Sequence, residues 1–469
     1  MTTETTVADP QIAERYAAYF SQYEALLSAR PLADRSRLVD LRSEGIAALR
    51  RMGFPTASRG NEDWRFTSVA PIANADFDHV SEPGANSVDL SDVQRRAPWD
   101  SSWTTLVFVD GYLSTNLSTP TTSDGLTAVS LRSPEVAEGG LIDATIGSVG
   151  LAESGGFVAA NTAFLDDGAV AVADPNSGAV GTVHLVFVTS DRPSPQVTYP
   201  RTLVVAGANT ELNVLESYIG MGEGGYFTNA VTEIVLEDGA RMSHYRYLHE
   251  SPAAFHIGST RVAQGRDSSF TTTSFSRGCR LGRNDVHVSL NEPGAECDLR
   301  GLYFTDGRQH IDNHINVDHA SGQTSSAQFY KGILADKSRA VFSGTTLIRQ
   351  DSQKSTATQA DKNLLLSEGA RVNTKPSLVI YADDVQAAHG ATAGAIPDDQ
   401  VFYMLARGLD MEAATSLLIK GFANEIIDKI GLDVFRDYLE NYFEKSVPRY
   451  RFQGFGRDRA FGGPAERVA

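Results

Sequence analysis

A small corner recurs along this chain and limits what it can become: glycine followed by alanine, set between short runs in which apolar and polar residues alternate. It occurs as Ala206-Gly207-Ala208-Asn209, Asp238-Gly239-Ala240-Arg241, Pro293-Gly294-Ala295-Glu296 and Glu368-Gly369-Ala370-Arg371. Glycine accepts positive φ, and the alanine behind it fits a tight corner beneath the next coil. The first run is Thr105-Leu106-Val107-Phe108-Val109, ending in an Asp110-Gly111 turn. Others fall at 183–188, 202–205, 232–236, 242–248, 270–275, 340–344, 363–366 and 377–381, with turns expected at 367–370 and 373–376. Alternation of period two is the mark of strands. The corner glycines are separated by 32, 55 and 75 residues, which excludes a strict repeat but suits stacked short strands with variable corners. The pattern predicts a right-handed parallel β-helix, or a closely similar β-solenoid, over residues 101–396. A β-sandwich is the rival that the pattern leaves open.

Both ends read differently. In residues 11–30, Ile12, Tyr16, Tyr19, Phe20, Tyr23 and Leu27 give one face of a helix that Pro31 stops. Leu38, Leu41, Ile46 and Leu49 give a second helix closing near Gly53. The polar, aromatic stretch Arg59-Gly60-Asn61-Glu62-Asp63-Trp64-Arg65-Phe66-Thr67 reads as a loop anchoring Trp64 in a groove. Residues 1–100 are therefore taken as a helical region with a linker. After Pro397 the spacing turns helical again, so residues 397–469 form a C-terminal helical region. There Asp398 and Asp410 are expected N-caps. Leu417, Leu418, Phe422, Ile426 and Ile430 share one helix face, and Val434 to Phe443 make a third helix. From Arg449 the Arg- and Gly-rich tail reads as loose.

Several function classes are excluded by what is missing. A formal net charge of -17 opposes a phosphate backbone, so nucleic acid is not expected as a partner. The two cysteines, Cys279 and Cys297, form no CxxC and have no neighbouring base in sequence. No apolar run nears the roughly 20 residues of a bilayer span, and the polar start MTTETTVADPQ is no signal peptide; a cytoplasmic protein is expected. Neither GxxxxGK[ST] nor G-x-S-x-G is present. All eight lysines lie at or beyond Lys331, with arginine alone before it, which reads as composition drift or as a special use of the flexible ammonium.

The densest polar cluster is His310-Ile311-Asp312-Asn313-His314-Ile315-Asn316-Val317-Asp318-His319. On a strand, His310, Asp312 and His314 share a face, which allows either a hydrogen-bonded ladder or a set of metal ligands. With His389 as a distal third ligand, His310 and Asp312 would make a His-x-Asp…His iron(II) oxygenase site.

Residues 331–408 also carry a resemblance. Asp336-Lys337-Ser338-Arg339-Ala340-Val341-Phe342-Ser343-Gly344, Thr374-Lys375-Pro376, Tyr381-Ala382-Asp383-Asp384-Val385, His389-Gly390-Ala391-Thr392 and Asp398-Asp399-Gln400-Val401-Phe402-Tyr403, with Arg407-Gly408, resemble the SufB/SufD family of iron–sulfur cluster assembly scaffolds. Glu62-Asp63-Trp64-Arg65-Phe66-Thr67 and Phe108-Val109-Asp110-Gly111 resemble its SufD branch. SufB-type chains carry a cysteine in a Thr-Gln-Cys-Asp context, where this chain has Thr358-Gln359-Ala360-Asp361, and a glutamate where it has Gly390. Ala387 stands where some SufD proteins have cysteine, which leaves His389 as the single carried-over ligand candidate.

The resemblance implies a β-helix between helical ends and a non-catalytic scaffold. It implies pairing with SufB along the β-helix edge and docking of the SufC ATPase on the C-terminal helices, through Phe402, Leu418, Phe422 and Ile426. His389 would be a ligand to a transient iron–sulfur cluster shared with SufB, and no cofactor would be bound stably. A homodimer of the isolated chain stays open as the alternative to the SufB pairing. The enzyme reading that competes is a stand-alone iron(II) oxygenase using His310, Asp312 and His389.

Overall fold

The computed structural model describes residues 16–446 apart from short segments at 30–35, 58–60, 81–87, 124, 135 and 137–139. From Gly178 onward, strands of about ten residues are dealt alternately into two sheets. The first sheet, starting from the C-terminal end, runs through Arg371–Ile380, Arg339–Ile348, His310–His319, Leu281–Leu290, Phe255–Gln264, Phe227–Leu236, Arg201–Ala206 and Ala169–Ala173. The second runs through Val385–Gly394, Ser355–Leu365, Ser325–Leu334, Glu296–Thr305, Ser269–Gly278, Arg241–Glu250, Thr210–Gly220, Gly178–Thr189 and Thr104–Val109. Each of the strands between Phe227 and Gly394 pairs in parallel with the one a full coil later. This is a β-solenoid, the architecture expected, and not a sandwich.

Register stacks like on like inside the coil. Leu212, Met242, Phe270 and Cys297 stand in line on successive strands, and all four belong to the buried core between the sheets. Burying each apolar side chain in such a column stabilises the stack by roughly 1.5–3 kcal/mol. Both cysteines are buried, and burial pushes both thiols up, which makes them core residues and not nucleophiles.

The corner glycines divide into two kinds. Gly239 and Gly294 adopt φ of +70° and +77°, as the corner pattern requires. Gly207 and Gly369 do not; there a Cβ would come 2.6 Å from the Ala173 carbonyl oxygen and 2.5 Å from that of Asp336. At these two corners it is the close approach of the neighbouring coil, not the dihedral, that selects glycine. Ala240, Ala295 and Ala370 are buried as expected, whereas Ala208 at the first corner is only half-buried.

The turn expected at 373–376 is not there. Residues Arg371–Ile380 form one continuous strand with Pro376 inside it, opposite Gly344. The strand is the last of its sheet, and a proline without an N–H is tolerated where one side of the strand has no partner.

The N-terminal helices Ala17–Ala29 and Ser36–Met52 pack with Gly156–Ala163, a helix interrupting the stretch read as all-strand. Leu38, Leu41, Ile46 and Leu49 are buried, and Gly53 closes the second helix with its N–H on the Leu49 carbonyl at 2.9 Å. In the first helix Leu26, not Leu27, is the buried leucine; Ile12 lies outside the described residues, as does the tail from Arg449.

Three C-terminal helices, Asp398–Ala406, Met411–Ile427 and Asp433–Ser446, cover the outer face of the second sheet. Ile426, Phe435, Leu439 and Phe443 pack with Tyr247, Phe275, Leu302 and Phe304. Asp410 caps the middle helix, accepting the Ala413 N–H at 2.7 Å. Asp398 is the first helical residue behind a Pro397 cap, and not the cap itself. Among the described residues, no helix is long and apolar enough to cross a membrane.

Candidate functional site

The solenoid ends abruptly. Val385–Gly394 is the last strand of the second sheet, paired on one side only with Ser355–Leu365. Among the described residues nothing covers it: after a half-buried Val385, every residue of the strand is exposed. The equivalent inward-facing positions one strand earlier, Ala357, Gln359 and Asp361, are buried.

His389 sits on this edge. Its column, read inward, is Gln359, Gln328, Leu299, Thr272, His244 and Val214, each in register with the next. Gln328 and Gln359 both donate an amide N–H to Thr346 Oγ1 on the opposite sheet, at 3.1 and 2.7 Å. That contact fixes the column as the one facing the lumen. His389 therefore occupies an inward position at the open mouth, exposed because no further coil follows among the described residues. A neutral imidazole in such a place can ligate a soft or borderline metal without adding charge.

The mouth holds a second group that the sequence reading used only as context. Asp361 lies two residues along from Gln359 on the same face and is 1% exposed. Burial raises its carboxyl from the ordinary Asp value to about 6, while Thr374 and Asn363 bonds pull the other way. Asn363 donates to Asp361 Oδ2 at 2.7 Å and accepts from the Tyr303 hydroxyl. Spacing could have flagged Asp361 as a lumen residue, but only the fold shows that it lies at the mouth.

His310, Asp312 and His314 do share a face, the outer face of the first sheet, but His389 is on the other sheet and faces the lumen. Thr67 Oγ1 donates to Asp312 Oδ2 at 2.6 Å and lies 3.2 Å from His310 Nε2. Arg283 takes the same Asp312 oxygen at 2.6 Å, donates to the Asp63 carbonyl at 2.8 Å and lies 3.8 Å from the Trp64 ring centre. Burial alone would lower the Arg283 pKa, but the carboxylates of Asp312 and Asp285 raise it. Burial holds His310 and His314 below the usual histidine value, which disfavours the charged ring. The cluster is a polar clasp that docks the segment around Trp64. Among the described residues, no group of three or more His, Cys, Asp or Glu could hold a metal ion, so the His-x-Asp…His triad of the oxygenase reading is not assembled.

The four residues expected to meet an ATPase are sorted by the C-terminal helices. Phe402 is 60% exposed. Leu418 and Phe422 are half-buried and line a cavity of about 930 Å³ between the sheet end and the helices. Ile426 is 1% exposed, turned into the core because it sits one helical turn below Phe422 on the sheet-facing side. It offers no surface; Leu417 and Tyr403 are the exposed apolar neighbours that the sequence reading passed over as docking residues.

Four of the lysines pair with carboxylates. Lys331 Nζ is buried 2.9 Å from Glu425 Oε1 and 3.7 Å from the Phe422 ring centre, and Lys362 reaches Glu425 Oε2 at 3.3 Å. Lys420 binds Glu444, and Lys375 binds Glu62. The ammonium ends thus tie helices and the N-terminal segment to the late coils.

The chain is thus a solenoid that ends in an edge strand, with one imidazole at its mouth and helices over one face. Two family models cover the chain: the SUF system FeS cluster assembly, SufBD core domain over residues 187–422, and the SufBD protein N-terminal region over residues 10–175. The chain is 32% identical to an iron–sulfur cluster assembly SufBD family protein of Synechocystis sp., across 85% of this chain and 88% of that one. It is 32% identical to the chloroplastic protein ABCI7 of Arabidopsis thaliana, across 89% and 88%. To the iron–sulfur cluster assembly protein SufD of Escherichia coli it is 30% identical, across 82% and 87%. The chain belongs to the SufBD family of iron–sulfur cluster assembly proteins.

Proposed function

We propose that this chain is a non-catalytic, SufD-type scaffold subunit that pairs with a SufB-type partner through the Val385–Gly394 edge. The observation that carries the reading is that edge: a ten-residue strand with one free side, its lumen column ending in His389. An unpaired parallel edge presents a row of N–H and C=O groups that another strand can complete. Small residues dominate it, with Ala387, Ala388, Gly390, Ala391 and Ala393 leaving room for a partner's side chains.

The iron–sulfur cluster enters as cargo. His389 would offer a ligand from this side of the seam, with the partner supplying thiolates, since Ala360 and Ala387 supply none. Thiolate and imidazole together suit iron. The C-terminal helices, with exposed Phe402 and Leu417 beside the Leu418 and Phe422 groove, would receive the ATPase. A cytoplasmic or organellar stroma setting would serve equally.

Co-expression with SufB and SufC tests this. A stable three-protein complex that requires residues 385–394 supports the reading. A chain that remains alone in the presence of both, or that turns over an organic substrate by itself, overturns it.

A further inference from the structure

Where the N-terminal segment lies over the first sheet it does not seal it. A cavity of about 510 Å³ remains, within the range that holds small organic ligands. Its floor is built from the outward residues of three paired strands, among them Arg261, Arg283, Asp285, His287, His314 and Asn316. Trp64, Phe157, Met52, Pro55 and Leu151 form an apolar wall.

One end of the cavity is the start of the Gly156–Ala163 helix. Gly155 is its N-cap and offers no side chain, and the N–H groups of Gly156, Phe157 and Val158 have no acceptor within the described residues. Three converging amides at the positive end of a helix make a seat for an oxyanion. The preceding loop already uses this chemistry: the N–H groups of Gly147, Val149 and Gly150 hold the Glu233 carboxylate at 2.9, 3.2 and 2.8 Å. No carboxylate among the described residues fills the second seat.

The floor supplies an independent sign. His314 is 4% exposed, on the outward face of its strand, and its Nδ1 has no hydrogen-bond partner, while Nε2 is only within 3.7 Å of the exposed Asp63 carboxylate. Arg283 is 1% exposed and its Nε is likewise unsatisfied. Leaving such groups buried without partners costs about 1–3 kcal/mol each. The floor is not a general cation trap: Asp285 is held by Arg261 at 2.8 Å and by Arg283, and Asp312 by Arg283 and Thr67. Directed N–H donors, not net charge, would decide what binds.

From the open amides, the orphaned ring nitrogen and the apolar wall, we infer that this cavity binds a small organic oxyanion, a carboxylate or phosphate carried on a flat apolar body. The anionic group sits on the start of the Gly156–Ala163 helix within reach of the polar floor, and the ring lies along Trp64 and Phe157. The site is on the opposite sheet from the His389 edge and is independent of the scaffold reading.

The test titrates the full-length chain with 1-naphthyl phosphate, 1-naphthoate and uncharged 1-naphthol by calorimetry. Saturable binding of at least one anion, about tenfold or more tighter than naphthol, is expected, and which anion binds distinguishes a phosphate from a carboxylate ligand. Ser154→Asp places a carboxylate one residue before the Gly155 N-cap, near the open amides, where its negative charge favours the helix start and competes with an anion; this variant should keep its thermal stability and lose about tenfold or more in anion affinity. His314→Ala should weaken the same binding. Equal binding of naphthol and the anions, binding that neither variant alters, or no binding of any probe up to millimolar concentration would each overturn the inference.

Discussion

His389 and Gln359 stand directly opposite one another on the last two strands of the second sheet, yet Gln359 is 3% exposed and His389 lies open. Gln359 is tied across the lumen to Thr346, whereas His389 has no coil above it. The difference between a structural position and an available one is a single missing turn of solenoid.

His389→Ala should therefore leave the fold alone. Thermal stability is expected to change by less than about 0.5 kcal/mol, as for other exposed positions. Cluster assembly in a complex reconstituted with SufB and SufC should fall. Wild-type assembly rates from the variant would remove the ligand role.

The C-terminal helices allow a paired experiment. Phe402→Asp and Leu417→Asp change exposed side chains and should weaken ATPase binding with the melting curve intact. Ile426→Asp puts a charge into the core and should cost about 4 kcal/mol or more, seen as loss of helix signal on warming. Equal melting of all three would contradict the assignment of faces.

Asp361 gives a pH dependence of known sign. Its folded-state pKa of about 6 lies above the ordinary Asp value, so the folded chain binds the proton more tightly than the unfolded one. That contribution is fully present below the unfolded pKa, near 4, and is lost as pH rises through about 6. Relative to Asp361→Asn, the parent should lose up to about 3 kcal/mol between pH 4 and 7, measured by urea unfolding across that range. Parallel pH curves for the two proteins would show that burial leaves this carboxyl unshifted.

The clasp around Trp64 can be opened from one side. Asp312→Ala leaves Arg283 buried without its closest carboxylate and should destabilise by about 3–5 kcal/mol. Thr67→Val, which removes one hydroxyl, should cost about 1 kcal/mol. The order of the two melting temperatures checks this, and a larger effect from Thr67→Val would refute it.

Much of this architecture was legible in the chain. Period-two runs and Gly-Ala corners located several of the strands from 183 to 366, because a two-sheet coil imposes the same alternation on every turn, but not Phe255–Gln264, Leu281–Leu290, Glu296–Thr305 or Ser325–Leu334. The corner at Gly207 was found for the wrong reason, since crowding by Ala173 leaves no trace in local conformational preference. Pro376 misled because proline signals a turn unless the strand is known to be an edge. The distal set His310, Asp312 and His389 failed for a similar reason: alternation tells which residues share a face, not which sheet a strand joins. Ile426 and Leu417 lie on opposite sides of one helix, and only packing decides which side meets the sheet.

The two terminal strands are unequal in a way that bears on who can join them. Arg371–Ile380 carries Lys375 and Pro376, a charge and a missing donor of the kind that discourages stray strands from adding on. Val385–Gly394 carries no Lys, Arg, Asp or Glu, and no proline. One rim of the molecule is thus guarded and the other left receptive, so the pairing proposed above would be admitted from one side, its seam beginning at the imidazole.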